Sequence, residues 1–281
     1  MSRENALKSI EAVNEFMEQT SVLWNQYEHT PSSNSQASKE LAEFTRPESI
    51  GTAYSQGAML IEAAADHTFA VIKTLTEPAG TISPWACARG VLETSALSMW
   101  FFDIKIKADE RVRRSLAFRY EGFEQLRKFA QSTKGRFDLE TINLRIDEME
   151  QLSLGLGFDK VVDKNGKRIG VGQEMPYITE LVIKMLDKEQ EYRLLSAMTH
   201  AHPWALQHFG FIKTQDNQMI YENVKGAHLE KNLSPDSIFF LCTDSVTSLF
   251  RALLMNFNLF GWDAKPLATA ADSAIKKIQS Q

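Results

Sequence analysis

Cysteine is scarce in this chain: the 281 residues hold two. Cys87 and Cys242 stand far apart with no CxxC companion, so neither a disulfide framework nor a zinc ribbon is indicated. Long apolar runs are missing too. No stretch approaches the roughly eighteen uninterrupted apolar residues of a membrane span, and no membrane partner is expected. Positive charge is not in excess, because 31 Lys and Arg face 36 Asp and Glu for a net charge of −5. That balance argues against coating nucleic acid by bulk electrostatics. Any RNA or phosphate site is then a local patch, and DNA binding is not expected. The opening MSRENALKSIEAVNEFMEQ is amphipathic rather than basic and then apolar, so it does not read as a signal peptide. The expectation is a reducing, cytoplasmic setting.

Several signatures are also lacking. The Gly166-Lys167 pair would need Gly at 161 and Ser or Thr at 168 for a phosphate-binding loop, and Val161 and Arg168 stand there. No Gly-x-Ser-x-Gly elbow occurs. No histidine has a glutamate three residues before it, which excludes the paired Glu-x-x-His of a di-iron bundle. His200 and His202 diverge on a helix, being two apart, so they make a poor metal pair with Glu62, Asp66 or Glu93. The sequence calls for no metal and no cofactor.

What is present is helical periodicity. Ile10, Val13, Met17, Trp24 and Tyr27 form one stripe of a helix over about 3–28. The polar TPSSNSQAS then predicts a flexible loop over 30–38. Pro47 opens a second helix that runs to EPAG. SPWACARGVLETSALSMWFFD is a third, apolar nearly all round and hence central. DERVRRSLAFRYEGFEQLRKFAQS and LETINLRIDEMEQL supply two more, and a helical stretch opening at Pro176 runs through EYRLLSAMTHAHPWALQHFG. A long buried helix after NLSPDS and a short amphipathic one close the chain. Asn165-Gly166 between β-branched runs predicts a hairpin over about 158–172. A second hairpin is expected over about 210–224 with Gln215-Asp216-Asn217-Gln218 as its turn. The fold class is therefore mainly α: one helical domain, 1–281, with one or two β-hairpin insertions.

On a helix, Arg193 and His200 are seven residues apart, so they share a face to within about 20° and lie about 10 Å apart. The small Ser196 and Ala197 form a notch between them. The pair suits RNA cleavage, with a neutral imidazole taking a ribose hydroxyl proton and a permanent cation steadying the phosphorane.

Arg193-x6-His200 in an all-helical chain resembles the Arg-x4-6-His motif of the HEPN superfamily. The resemblance implies a metal-independent ribonuclease, of the kind found in toxin and antiviral systems, and a homodimer in which two motifs face each other. It gives His200 the role of general acid or base and Arg193 or Arg89 that of phosphate stabiliser. A second pattern, Arg89-x3-Glu93 followed by Ser196-x3-His200, resembles bacterial helical proteins of unassigned function and makes Arg89, Glu93 and His200 a common site.

Other readings stay open. A small-molecule pocket would gather Glu62, His67, Arg89, Glu93 and His200. A non-enzymatic scaffold would use the 158–172 hairpin as its contact element. Arg89 and Glu93 in so apolar a helix require partners, whether each other, another helix or a ligand. His202 precedes Pro203 and is drawn to a helix end. Arg111, Arg113, Arg114 and Arg119, interleaved with acids, read as a solvated face on which Arg111 and Arg114 are available to phosphate.

Overall fold

The computed structural model describes residues 3–27, 29–76, 78–133, 138–221, 224–231 and 233–280, the side chains of 3 and 213–229 excepted. In chain order, α1 is Arg3–Gln26, α2 Gln36–Glu43, α3 Pro47–Leu75, α4 Ser83–Phe102, α5 Ala108–Ser132 and α6 Leu139–Gly155. Strands β1 (Val161–Val162) and β2 (Arg168–Gly170) follow, then α7 (Ile178–Leu186), α8 (Glu189–Thr199) and α9 (Pro203–Ala205). A π turn over Leu206–Gly210 leads to β3 (Phe211–Tyr221) and β4 (Val224–Lys231), and α10 (Pro235–Phe260) and α11 (Lys265–Gln279) end the chain.

The apolar α4 is central, as its composition predicts. It packs on α3, α10, α7 and α8, and Val91, Leu92, Ala96, Phe101 and Phe102 are fully enclosed. Each of the larger ones, Val91, Leu92, Phe101 and Phe102, contributes roughly 1.5–3 kcal/mol through removal from water. Helices α3 and α4 approach closely by exchanging rings for glycines. The Phe102 ring of α4 lies where a Cβ on Gly57 of α3 would be, 2.5 Å from its Cζ. In return the His67 ring of α3 lies on Gly90 of α4, where a Cβ would meet it at 2.8 Å. Any larger residue at either glycine drives a ring out of a packed interface.

Helix α10 starts at the N-cap Ser234, whose hydroxyl accepts from Ser237 N, and stops at Gly261 in the left-handed region, φ 68°. It has the length and hydropathy of a membrane span, and half of that stretch is buried inside the bundle, against α1, α3, α4 and α11.

Three local expectations change. The loop expected over 30–38 is partly helical: Ser35 caps α2, its hydroxyl accepting from Ser38 N, and α2 begins at Gln36. The stretch from Pro176 is broken into α7, α8 and α9, because Asp187 adopts φ 54° and Ala201 φ 55°; aspartate visits that region more readily than most residues. The second hairpin exists, but 215–218 belongs to β3, which pairs antiparallel with β4 through several register irregularities. The last pair of that register is Tyr221 with Val224.

The first hairpin turns as Asn165-Gly166 predicts. Gly166 has φ 78°, and Asp163 Oδ1 accepts from Asn165 N and Lys167 N at 2.8 and 2.9 Å. Arg168 anchors it to α6 by bonding Glu150 and Asp147. Neither cysteine is paired, and burial pushes the Cys242 thiol up to about 12.

Candidate functional site

Arg89 and Glu93 lie one turn apart on α4, and α8 runs alongside. Arg89 Nε donates to Glu93 Oε1 at 2.8 Å. Its Nη2 donates to Tyr192 Oη at 3.3 Å, and Tyr192 in turn donates to Glu93 Oε1 at 2.9 Å. The three side chains close a triangle in which one carboxylate oxygen accepts twice. Glu93 Oε2 has no hydrogen-bond partner among the described residues.

The remaining arm reaches His200: Arg89 Nη1 lies 2.7 Å from His200 Nε2. A guanidinium only donates, so Nε2 presents its lone pair and Nδ1 carries the ring hydrogen. Burial works against the charge on Arg89, but the Tyr192 hydrogen bond and the Glu93 charge outweigh it and hold the group above its ordinary value. Burial, reinforced by the bond to Glu93, pushes the Tyr192 phenol up. Arg89 is thus a permanent cation with three arms engaged, the one to His200 at an exposed position.

The structure does not bring Arg193 to His200. Arg193 is exposed and donates from Nε and Nη2 to Glu189 Oε1 at 2.9 and 2.7 Å. Side chains on a helix tilt toward its N-terminus, so Arg193 reaches back one turn while His200 caps the other end of α8. Ser196 is half-buried on α8. His202 is extended, ψ 130°, ahead of Pro203, and His208 Nδ1 meets Trp204 O at 2.7 Å.

Arg111 and Arg114 are not on a solvated face and are not available to phosphate. Arg111 is 0% and Arg114 5% exposed. Arg111 bonds both oxygens of Glu40 at 2.8 and 3.1 Å and donates to the carbonyls of Phe101 and Asp103. Arg114 donates to Trp100 O at 2.6 Å and to Glu110. The reason is the end of α4, whose last carbonyls have no intrahelical donor. Two arginines from the next helix fill them.

Glu62 turns toward α1, accepting from Trp24 Nε1, and His67 is occupied by its contact with Gly90. The expected five-residue pocket therefore splits, leaving Arg89, Glu93 and His200 together. Tyr192 joins them, a member the sequence reading missed; the requirement that Arg89 and Glu93 find a partner on another helix pointed to it without naming it.

Glu93 also lines a cleft of about 720 Å³ between α4, α5 and the segment entering α7. Leu97, Phe118, Phe123, Leu126, Met175 and Ile178 make its wall apolar. Arg119 lies on the same wall, half-buried, with no carboxylate at ion-pair distance among the described residues. Burial, with repulsion from Arg145, pulls it below its ordinary value. Sequence reading placed Arg119 on a solvated face and so missed it as well. An apolar cleft of this size with a few convergent polar groups is the usual form of a small-molecule site. No family model matches the chain, and no curated protein and no solved structure matches it.

Proposed function

We propose that the protein binds a small, mainly apolar molecule carrying an anionic group in the cleft between α4 and α5. The apolar body packs on Phe118, Phe123 and Leu97, the anion meets Arg119, and Glu93 Oε2 accepts a hydrogen bond from the ligand. The observation that carries this reading is the 720 Å³ apolar cleft that shares Glu93 with the Arg89–Tyr192 triangle. A half-buried cation without a carboxylate gains most from an anion delivered by an apolar ligand. The triangle fixes the rotamer of Glu93, so little ordering cost remains for binding.

Anilinonaphthalene sulfonate, an apolar aromatic anion, serves as the probe, with octanoate as competitor. Fluorescence titration is expected to show one saturable site that octanoate displaces. Arg119→Met should weaken it about tenfold, the loss of one charge-assisted hydrogen bond. Gly122 lines the cleft with open space around its Cβ position, so the ring of Gly122→Phe should occupy the cleft and abolish binding. Unchanged titrations for both variants would sink the proposal.

A second reading rests on the 2.7 Å Arg89–His200 contact at an exposed position. In a metal-independent ribonuclease, Arg89 rather than Arg193 would move to the phosphate and free Nε2 to take the ribose hydroxyl proton. RNA incubated with chelator is then expected to be cut by the wild type and not by His200→Ala. No cleavage by the wild type, or equal cleavage by the variant, removes this reading.

A further inference from the structure

Away from the α4–α5 cleft, α1, α3 and α10 enclose a corner of about 450 Å³ walled by Trp24, His29, Tyr54, Phe260 and Trp262. The rings meet edge to face. Trp24 and Trp262 have centroids 5.9 Å apart at 77°, Phe260 and Trp262 5.0 Å at 66°, and Tyr54 and Phe260 5.1 Å at 66°. Set at such angles these rings stand as walls to one another, while Trp262 turns one face onto Tyr27, 4.7 Å away at 6°. The π faces of such rings are negative.

Two oxygen acceptors share the corner. Glu62 lines it, held through one oxygen by Trp24 Nε1, and its Oε2 has no hydrogen-bond partner among the described residues. Asn256 lines it too, 1% exposed, and its buried Oδ1 has no hydrogen-bond partner among the described residues. A second cleft of about 610 Å³ shares Trp24 and Glu62 and adds Glu18 and Asp66. Among the described residues no lysine or arginine lines either space. His29 stands at φ 57° with its ring 4.9 Å from Trp24, edge on.

We infer that this corner is a binding site for an organic ammonium cation. Aromatic faces attract the cation through their quadrupoles, Glu62 supplies the counter-charge, and the orphan Asn256 oxygen adds a dipole. An anion is disfavoured by Glu62, with Glu18 and Asp66 in the adjoining cleft and no lysine or arginine among the residues lining either space. A neutral apolar ligand would leave the buried Asn256 Oδ1 unanswered. The site is separate in residues from the α4–α5 cleft, so either proposal can fail alone.

The test uses choline and its uncharged isostere 3,3-dimethylbutan-1-ol, read by tryptophan fluorescence and calorimetry on the whole chain. Choline is expected to bind saturably and to perturb Trp24 and Trp262 emission, with the isostere at least about tenfold weaker. Glu62→Gln, at an exposed position, should weaken choline several-fold without changing the circular dichroism spectrum. Ser55→Trp, also exposed and at the edge of the corner, should block it. Equal binding of choline and the isostere, no binding at millimolar concentration, or indifference to both variants would overturn the inference.

Discussion

Replacing Arg111 by methionine is expected to cost about 3–5 kcal/mol of stability, the range for breaking a buried ion pair by removing one partner. Arg111 is enclosed, and Glu40, itself 9% exposed, holds it through both oxygens. The substitution leaves Glu40 with Gln36 and Tyr54 alone and strips donors from the carbonyls of Phe101 and Asp103. Urea unfolding measures the loss. A change below about 1 kcal/mol would show that the pair is dispensable. The same pair dictates an acid limb. Burial alone would raise the Glu40 carboxyl, but the Arg111 bond and charge, with Gln36 and Tyr54, hold it below 4.5. A lowered acid contributes stability that is fully present above the unfolded value near 4.5 and is lost as pH falls through the folded one. In Arg111→Met that part of the pH profile should flatten.

Lys188→Met is expected to cost a similar amount, about 3–5 kcal/mol, by the same mechanism. Lys188 stands one residue before α8 and donates to Asp244 Oδ1 and to Thr247 Oγ1 of α10. Asp244 is 4% exposed and its Oδ2 already lacks a partner among the described residues. Burial raises the Asp244 carboxyl despite Lys188. The sign is opposite to that of Glu40: a raised acid contributes stability below 3.8 that is lost as pH rises through the folded value. Without Lys188 the penalty grows, and Asp244 should take up a proton. The double variant Lys188→Met with Asp244→Leu should recover most of the loss, because no buried charge remains. Thermal and urea unfolding of the three proteins decide it; a double variant as unstable as the single one would refute the mechanism. The consequence reaches the site, since Lys188 pins the start of the helix that carries Tyr192.

The helices were readable where local signals suffice. Pro47, the all-round apolarity of α4, Asn165-Gly166 and the His202-Pro203 boundary each act through their own backbone or their own periodicity. The arginines were not readable. Arg111 and Arg114 alternate with acids as a surface helix would, and their burial depends on the free carbonyls at the end of a different helix. Arg193 and His200 do share a periodicity, yet periodicity says nothing of the direction a long side chain takes, and Arg193 runs back to Glu189. The pairing of Arg89 with Tyr192 and His200 needed the packing of α8 on α4, which no spacing within either segment encodes.

The exchange of rings and glycines between α3 and α4 has a mechanical meaning. Gly57 with Phe102 and His67 with Gly90 are two pins about 15 Å apart along the axis, ten residues of α3 at helical rise. One pin would permit pivoting, and two forbid both pivoting and sliding, because a shift of one turn would thrust both rings into backbone. The two helices behave as a single spar. Glu62 is mounted on α3 and Arg89 with Glu93 on α4, so the distance between the two proposed binding places is fixed. Whatever yields when a ligand enters must lie outside the spar: α1 or α10 at the corner, α5 or the segment entering α7 at the cleft.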